Sequence, residues 1–248
     1  IDAVEAWEFT TGDKEVVIAI LDTGIELQHS DLKSKIVAGF DFVNSDADAQ
    51  DDNGHGTSVA GIVGAVTDNH EGIAGVCWDC TLLPVKVLDA TNFGFYSWWA
   101  KGIRFSVEQH ADVITMSLGG SAFSQSLKNT VDFAYDNGVV LVSITHNFGN
   151  DAVYYPGGFD NVITVGATDM NDKRWTNSNF GSHLDVVAPG VGILTTKKAG
   201  AYSRWTGTSQ AAAHVAGLAA LLLSLKPELT PAQVREIIEQ TAEDGVGL

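Results

Sequence analysis

Between Ala211 and Leu225 the chain is apolar on nearly every side, built from Ala, Val, Gly and Leu and interrupted only by His214 and Ser224. A helix apolar all round is a buried helix. Counted from Ser209 to Leu225 it has 17 residues, short of the roughly 20 that a membrane span needs. The pattern therefore predicts the central helix of a folded core, with Gly207-Thr208 leading in and Ser209 in its first turn. Short continuous apolar runs predict buried parallel strands over 16–21, 82–88, 113–117, 139–144, 162–167 and 185–188. Helical spacing appears over 55–65, 96–110 and 124–137, the last stopped by Gly138. Thr230-Pro231-Ala232-Gln233 is a capping box with Pro at the first helical position, and it predicts a final helix to about Thr241. Strands alternating with helices predict an α/β protein with a mostly parallel, doubly wound sheet.

Composition narrows this picture. The 248 residues, 45% hydrophobic and 18% charged, suit one α/β domain with a sizeable core. The net charge of -17 argues against nucleic acid as a partner, because phosphate contacts need a basic surface. It fits a soluble surface, salt tolerance or cation sites. No segment reads as a membrane span, and the start at Ile1 carries no signal peptide, although a removed one would leave no trace. Cys77 and Cys80 stand in a C-x-x-C that precedes a strand rather than opening a helix. That placement favours a small local disulfide or two unreactive thiols over a redox centre.

The candidate chemistry lies at strand ends and helix starts. Asp22-Thr23-Gly24 follows the first strand directly, and ligand sites of open parallel sheets lie beyond the carboxyl ends of strands. Alone, Asp22 reads equally well as a turn residue. His55 stands at a helix start after the turn cluster Asp51-Asp52-Asn53-Gly54. Ser209 at its helix start is as readily an N-cap as a nucleophile. Together they make a coherent set: a serine hydroxyl is a weak nucleophile until a neutral His takes its proton, and the His needs a carboxylate to fix its tautomer. Asn147, just past a strand end, could donate to an oxyanion together with the Ser209 amide.

Asp22-Thr23-Gly24, His55-Gly56-Thr57 and Gly207-Thr208-Ser209, in that order, resemble the three signature motifs of the subtilisin-like serine proteases, the subtilases. Their separations of 33 and 154 residues suit a compact catalytic domain of that family. Ser117-Leu118-Gly119 and Asn147-x-Gly149 add to the resemblance, which covers Val4 to about Thr241. It implies a three-layer sandwich of subtilisin-like fold and a single catalytic domain over 1–248, without a propeptide and short at both ends. The implied activity is that of a secreted, monomeric serine endopeptidase in which Asp22, His55, Ser209 and Asn147 are catalytic. Its protein or peptide substrate would add as a strand between Ser117-Leu118-Gly119 and Asn92-Phe93-Gly94, with Phe93 and Phe95 making the outer subsites apolar. The loop from Val66 to Ile73 resembles the high-affinity calcium loop of thermitase-like members. Its candidate ligands are the side chains of Asp31 and Asn69 and the carbonyls of Val66, Glu71 and Ile73, all hard oxygen donors, with Asp2 standing in for a ligand of the family's N-terminal arm.

Several positions depart from the family pattern. Gln210 stands where Met is usual, Ala213 where Pro is usual, Ser58 for a common His and Ser30 for a common Pro. Ile144, Thr145 and His146 replace small residues before the oxyanion Asn, and Tyr154 replaces a Gly or Asn near the pocket floor. Such bulk predicts a shallow or blocked primary pocket. It opens a second reading, a triad-bearing esterase, polyester hydrolase or acyl-transfer enzyme, and a third, a degenerate domain that only binds. The pair Tyr155-Pro156 is a candidate for a cis bond.

Overall fold

The computed structural model describes residues 1–243. Strands β1 (Val17–Asp22), β2 (Phe40–Asp41), β3 (Thr81–Lys86), β4 (Val113–Met116), β5 (Val140–Ile144), β6 (Ile163–Thr168) and β7 (Val186–Pro189) form one sheet. Their order is β2-β3-β1-β4-β5-β6-β7, and every pairing is parallel. The alternation of side chains along each strand divides the core in two. Ile18 and Ile20 face one layer, made by helices α2 (His55–Gly64), α5 (Thr208–Leu225) and α6 (Pro231–Thr241). Ala19 and Leu21 face the other, made by α3 (Tyr96–Glu108) and α4 (Gln125–Asp136). A short helix, α1 (Ala3–Ala6), precedes them all.

The expected elements are present within a residue or two of their anticipated ends. Ser124 caps α4 through the Leu127 amide, and Thr230 with Gln233 forms the expected capping box at α6. At 18 residues with a mean hydropathy of 1.4, α5 is long and apolar enough to cross a membrane by length and composition alone. In the fold it is the core helix: Ala211, Ala212, Ala213, Ala216, Ala219 and Ala220 are fully buried. A Cβ on Gly217 would come within 2.6 Å of Val76, so its small residues let α5 lie close against its neighbours.

The hairpin β8 (Ile193–Lys197) and β9 (Ala201–Trp205) has no counterpart in the apolar pattern. Its strands are short and only partly buried, so they lack the continuous run that marks a core strand. Two inward threonines seat it on α2, Thr195 Oγ1 donating to the Ser58 carbonyl at 2.7 Å and Thr196 Oγ1 to that of Thr57 at 2.6 Å. Cys77 and Cys80 are joined as a disulfide with their Cα atoms 5.4 Å apart, which decides between the two readings of that pair. Tyr155-Pro156 is cis.

The sheet order fixes where a site can form. The chain lays β2 and β3 on one side of β1 and then crosses to place β4 on the other. The carboxyl ends of β1 and β4 therefore flank the switch point, where an open α/β sheet leaves a crevice. Asp22 ends β1, and Ser117 follows β4.

Candidate active site

Asp22 is 1% exposed. Its Oδ1 lies 2.7 Å from His55 Nδ1 and accepts the Thr23 amide at 2.7 Å. Its Oδ2 is buried without a hydrogen-bond partner among the described residues. His55 Nε2 lies 3.0 Å from Ser209 Oγ. With the Nδ1 proton held by Asp22, Nε2 is the acceptor for the serine proton.

The turn that delivers His55 is organised by Asp51, a buried carboxylate. Its Oδ1 accepts from Thr23 Oγ1 at 2.8 Å and from the Asn53 and Gly54 amides at 2.9 and 2.7 Å. Its Oδ2 accepts from the amide and hydroxyl of Thr57. One side chain thus clasps the turn after Asp22 to the first turn of α2. Thr23 Oγ1 in turn accepts the Gly56 amide at 2.9 Å. Gly56 passes so close that a Cβ there would collide with the Gly24 carbonyl and reach 3.0 Å from the Asp22 Cβ. The buried ammonium of Lys86 completes this floor, donating to the carbonyls of Thr23 at 2.8 Å and Leu88 at 2.9 Å and to Asp52 at 2.7 Å. Asp51 escaped the sequence reading because one Asp in a turn is unremarkable. Its position four residues before a helix-opening His was the available signal.

Burial works against a charged His55 ring, but the Asp22 carboxylate, by charge and by hydrogen bond, and the charge of Asp51 outweigh it. The ring therefore titrates above its ordinary 6.5. A general base must be neutral to act, and kcat/KM reports the free enzyme. For this reason kcat/KM on a neutral substrate is expected to rise with pH through a single ionisation above 6.5. A pH–rate profile whose acid limb has its midpoint below that value would contradict the assignment.

Asn147 Oδ1 accepts from the amide of Thr208 at 2.9 Å and from its hydroxyl at 3.0 Å. These bonds fix the side-chain amide and leave Nδ2 turned away from them, beside the start of α5. The Ser209 amide is among the first N–H groups of α5, which have no carbonyl partner within the helix. Asn147 Nδ2 and the Ser209 amide thus both stand at the N-terminal end of α5, the end that carries the Ser209 hydroxyl.

The other anticipated residues fall around this centre. Ser117 Oγ reaches the Ser209 carbonyl at 3.4 Å, and Leu118 turns its side chain into the core. Gly119 leads to Gly120, which exchanges backbone hydrogen bonds with Tyr155 at 2.9 Å in each direction. Asn92, Phe93 and Gly94 lie on a loop tied by the Asp89 carboxylate, and Phe93 and Phe95 are exposed with their rings 5.1 Å apart. Of the three bulky residues before Asn147, Ile144 packs in the core and Thr145 is buried. His146 alone is partly exposed, against Tyr154 with ring centroids 4.4 Å apart. Phe148 joins these two rings, and Trp205 stands edge-on to His55 at 6.3 Å; neither was anticipated. Two departures from the family pattern meet: Gln210 Nε2 donates to Ser58 Oγ at 3.3 Å, and Ser58 Oγ donates to the His55 carbonyl at 2.7 Å.

The metal candidates also gather. Asp31 is fully buried. Its Oδ1 accepts from Asn69 Nδ2 at 2.7 Å, and its Oδ2 from the Ile73 amide at 3.1 Å and Tyr202 at 3.0 Å. Its carbonyl takes the Val66 amide at 2.8 Å, while Glu71 accepts from Ser30. Among the described residues no three His, Cys, Asp or Glu side chains form a metal cluster. An ion here would therefore rest mainly on neutral oxygens.

A family model described as the subtilase family, Peptidase S8, matches residues 13–248. Thermitase of Thermoactinomyces vulgaris is 42% identical over 98% of the chain and 86% of its own length. A thermophilic serine proteinase of Bacillus sp. (strain AK1) is 42% identical over 96% of the chain, which spans 59% of that relative's length. A solved structure of proteases from Pseudoalteromonas arctica superposes with a TM-score of 0.92 at 35% identity, covering 97% of this chain and 86% of the other.

Proposed function

The chain belongs to the subtilase family, and from that premise we propose that it is a serine endopeptidase working through an acyl-enzyme on Ser209. The observation that carries this reading is the His55 ring, held at 2.7 Å from Asp22 and 3.0 Å from Ser209 at the switch point of the sheet. His55 takes the Ser209 proton as Oγ attacks the peptide carbonyl. Asp22 holds the ring in the required tautomer and stabilises the imidazolium that forms. The oxyanion is met by Asn147 Nδ2 and the Ser209 amide, donors already in place before charge develops. His55 then gives its proton to the leaving amine, and water repeats the sequence to release the acid. The substrate lies extended between Ser117–Gly119 and Asn92–Gly94. The closed Cys77–Cys80 disulfide supports work in an oxidising, extracellular setting.

A second reading, in which activated esters are the preferred acyl donors, draws on the rings of His146, Phe148 and Tyr154 packed beside Asn147. Matched peptide amide and ester substrates decide between the two, with fluorophosphonate labelling of Ser209 as the measure of a working triad. Amide turnover supports the endopeptidase. Ester turnover and labelling without amide turnover replace it.

A structural calcium at Asp31 completes the proposal. The Asp31 carboxylate is buried among neutral donors, a costly arrangement for a charge without a counter-ion. The Tyr202 phenol beside it is pushed up to about 12 by its own burial first, and then by its hydrogen bond to Asp31 and that residue's charge. Calcium would supply the missing charge, held by the side-chain oxygens of Asp31 and Asn69 and the carbonyls of Val66, Glu71 and Ile73. Dialysis against a chelator is then expected to lower Tm, and calcium at about 100 times its Kd to restore roughly 2.7 kcal/mol. A Tm indifferent to both treatments would remove the ion from this account.

A further inference from the structure

The position of the reacting carbonyl determines where the adjoining substrate side chain must go. The carbonyl carbon has to approach Ser209 Oγ with its oxygen toward Asn147 Nδ2. A chain extended along Ser117–Gly119 alternates its side chains above and below that strand. One of these two directions leads into the gap between two segments, where the resemblance to the subtilases puts the primary pocket. One is Ser117–Gly120, continuing β4, and the other is Thr145–Asn147, continuing β5. The Gly120–Tyr155 backbone pair closes the gap's far side.

That gap is already filled. A Cβ built on Gly119 would meet His146 Nε2 at 2.5 Å and Cδ2 at 2.9 Å, so the imidazole reaches across from one wall to the other. Tyr154 backs it with ring centroids 4.4 Å apart, and Phe148 stacks on it at 5.4 Å while also contacting Tyr154 at 5.2 Å. His146 and Tyr154 are the half-buried pair that occupies the space, with Phe148, 60% exposed, covering them from outside. His146 Nε2 is buried against the Gly119 backbone, and burial lowers the ring's pKa more than its contact with that backbone raises it. The backbone at His146 has φ 84°, a left-handed conformation that non-glycine residues seldom adopt. Strain of this kind persists where the surroundings over-determine it, and it gathers at functional sites.

We propose that His146, supported by Tyr154 and Phe148, closes the pocket for the side chain on the acyl side of the scissile bond, so that the enzyme cleaves after glycine. Glycine needs no room below the strand, alanine needs a methyl's worth, and larger side chains must expel the imidazole. The substrate class is glycine-containing polypeptide in extended conformation. The inference rests on the endopeptidase reading and specifies its substrate.

The test is a series of peptides that differ only in the acyl-side residue: glycine, alanine, leucine and phenylalanine. In the wild-type protein kcat/KM is expected to fall by about 100-fold or more from glycine to leucine, because the pocket offers no volume for the added carbons. His146→Gly is expected to raise the leucine-to-glycine ratio by about the same factor, and His146→Gly with Tyr154→Gly to admit phenylalanine. Glycine tolerates the left-handed backbone at this position, so the variant keeps the fold. A wild-type preference for leucine or phenylalanine over glycine overturns the proposal. So does a leucine-to-glycine ratio that His146→Gly moves by less than about threefold. The series is run as amides and as esters. Loss of amide turnover alone would overturn the endopeptidase reading, while the ratio among esters still decides the pocket.

Discussion

Ser209→Ala is expected to lose about six orders of magnitude in kcat on peptide amides, the size of effect established for the serine of subtilisin itself. The reason is that the covalent route disappears entirely. Without Oγ, His55 has no side-chain nucleophile to activate and no acyl-enzyme can form. What survives is binding along Ser117–Gly119 and the donors around Asn147, worth about 10³–10⁴ over the uncatalysed reaction. The hydroxyl's hydrogen bond is to His55 Nε2, and alanine is a strong helix former in the first turn of α5, so stability should hardly change. The check is kcat on a peptide anilide together with Tm by calorimetry. Turnover within tenfold of wild type would show that Ser209 is not the nucleophile. A large fall in Tm would mean that lost activity reports unfolding.

Asp22→Asn is expected to lower kcat by about 10⁴ near neutral pH, less than the serine change because the nucleophile and the oxyanion donors remain. The amide keeps nearly the same shape but not the charge. It no longer enforces the Nδ1–H tautomer or stabilises the imidazolium. Because the Asp22 charge and hydrogen bond are the largest influences raising His55, the acid limb of the pH profile should also move down from its wild-type position. Both readouts come from one pH–rate series on the variant. A loss of activity with an unmoved acid limb would mean that Asp22 acts on the position of His55 and not on its charge.

The central helix, the parallel strands and the capped final helix are legible in the chain because local physics writes them there. Continuous apolar runs can be satisfied only by burial on both faces, and Thr230-Pro231-Ala232-Gln233 satisfies its own helix start. The β8–β9 hairpin is not legible, because its stability comes from Thr195 and Thr196 bonding to α2 and not from any pattern of its own. The site divides in the same way. The three motifs name Asp22, His55 and Ser209, but Asp51, Lys86 and Phe148 draw their meaning from neighbours distant in sequence. Ser58 and Gln210 read as two separate departures, yet they form one hydrogen-bonded link across 152 residues.

The amino-acid sequence alone determined the class of fold and, through the resemblance of its three motifs to those of the subtilases, named the candidate triad. The fold follows from local periodicity, whereas the triad follows from the resemblance, since Asp22 and Ser209 taken alone read as readily as a turn residue and an N-cap. Only the tertiary structure decided that Asp31 is a buried charge among neutral donors, that one carboxylate clasps the two catalytic turns, and that the His146 and Tyr154 rings fill the gap beside Asn147. Burial and contact between distant segments set the energy of a charge and the volume left for a substrate, and neither is a property of any short stretch of chain.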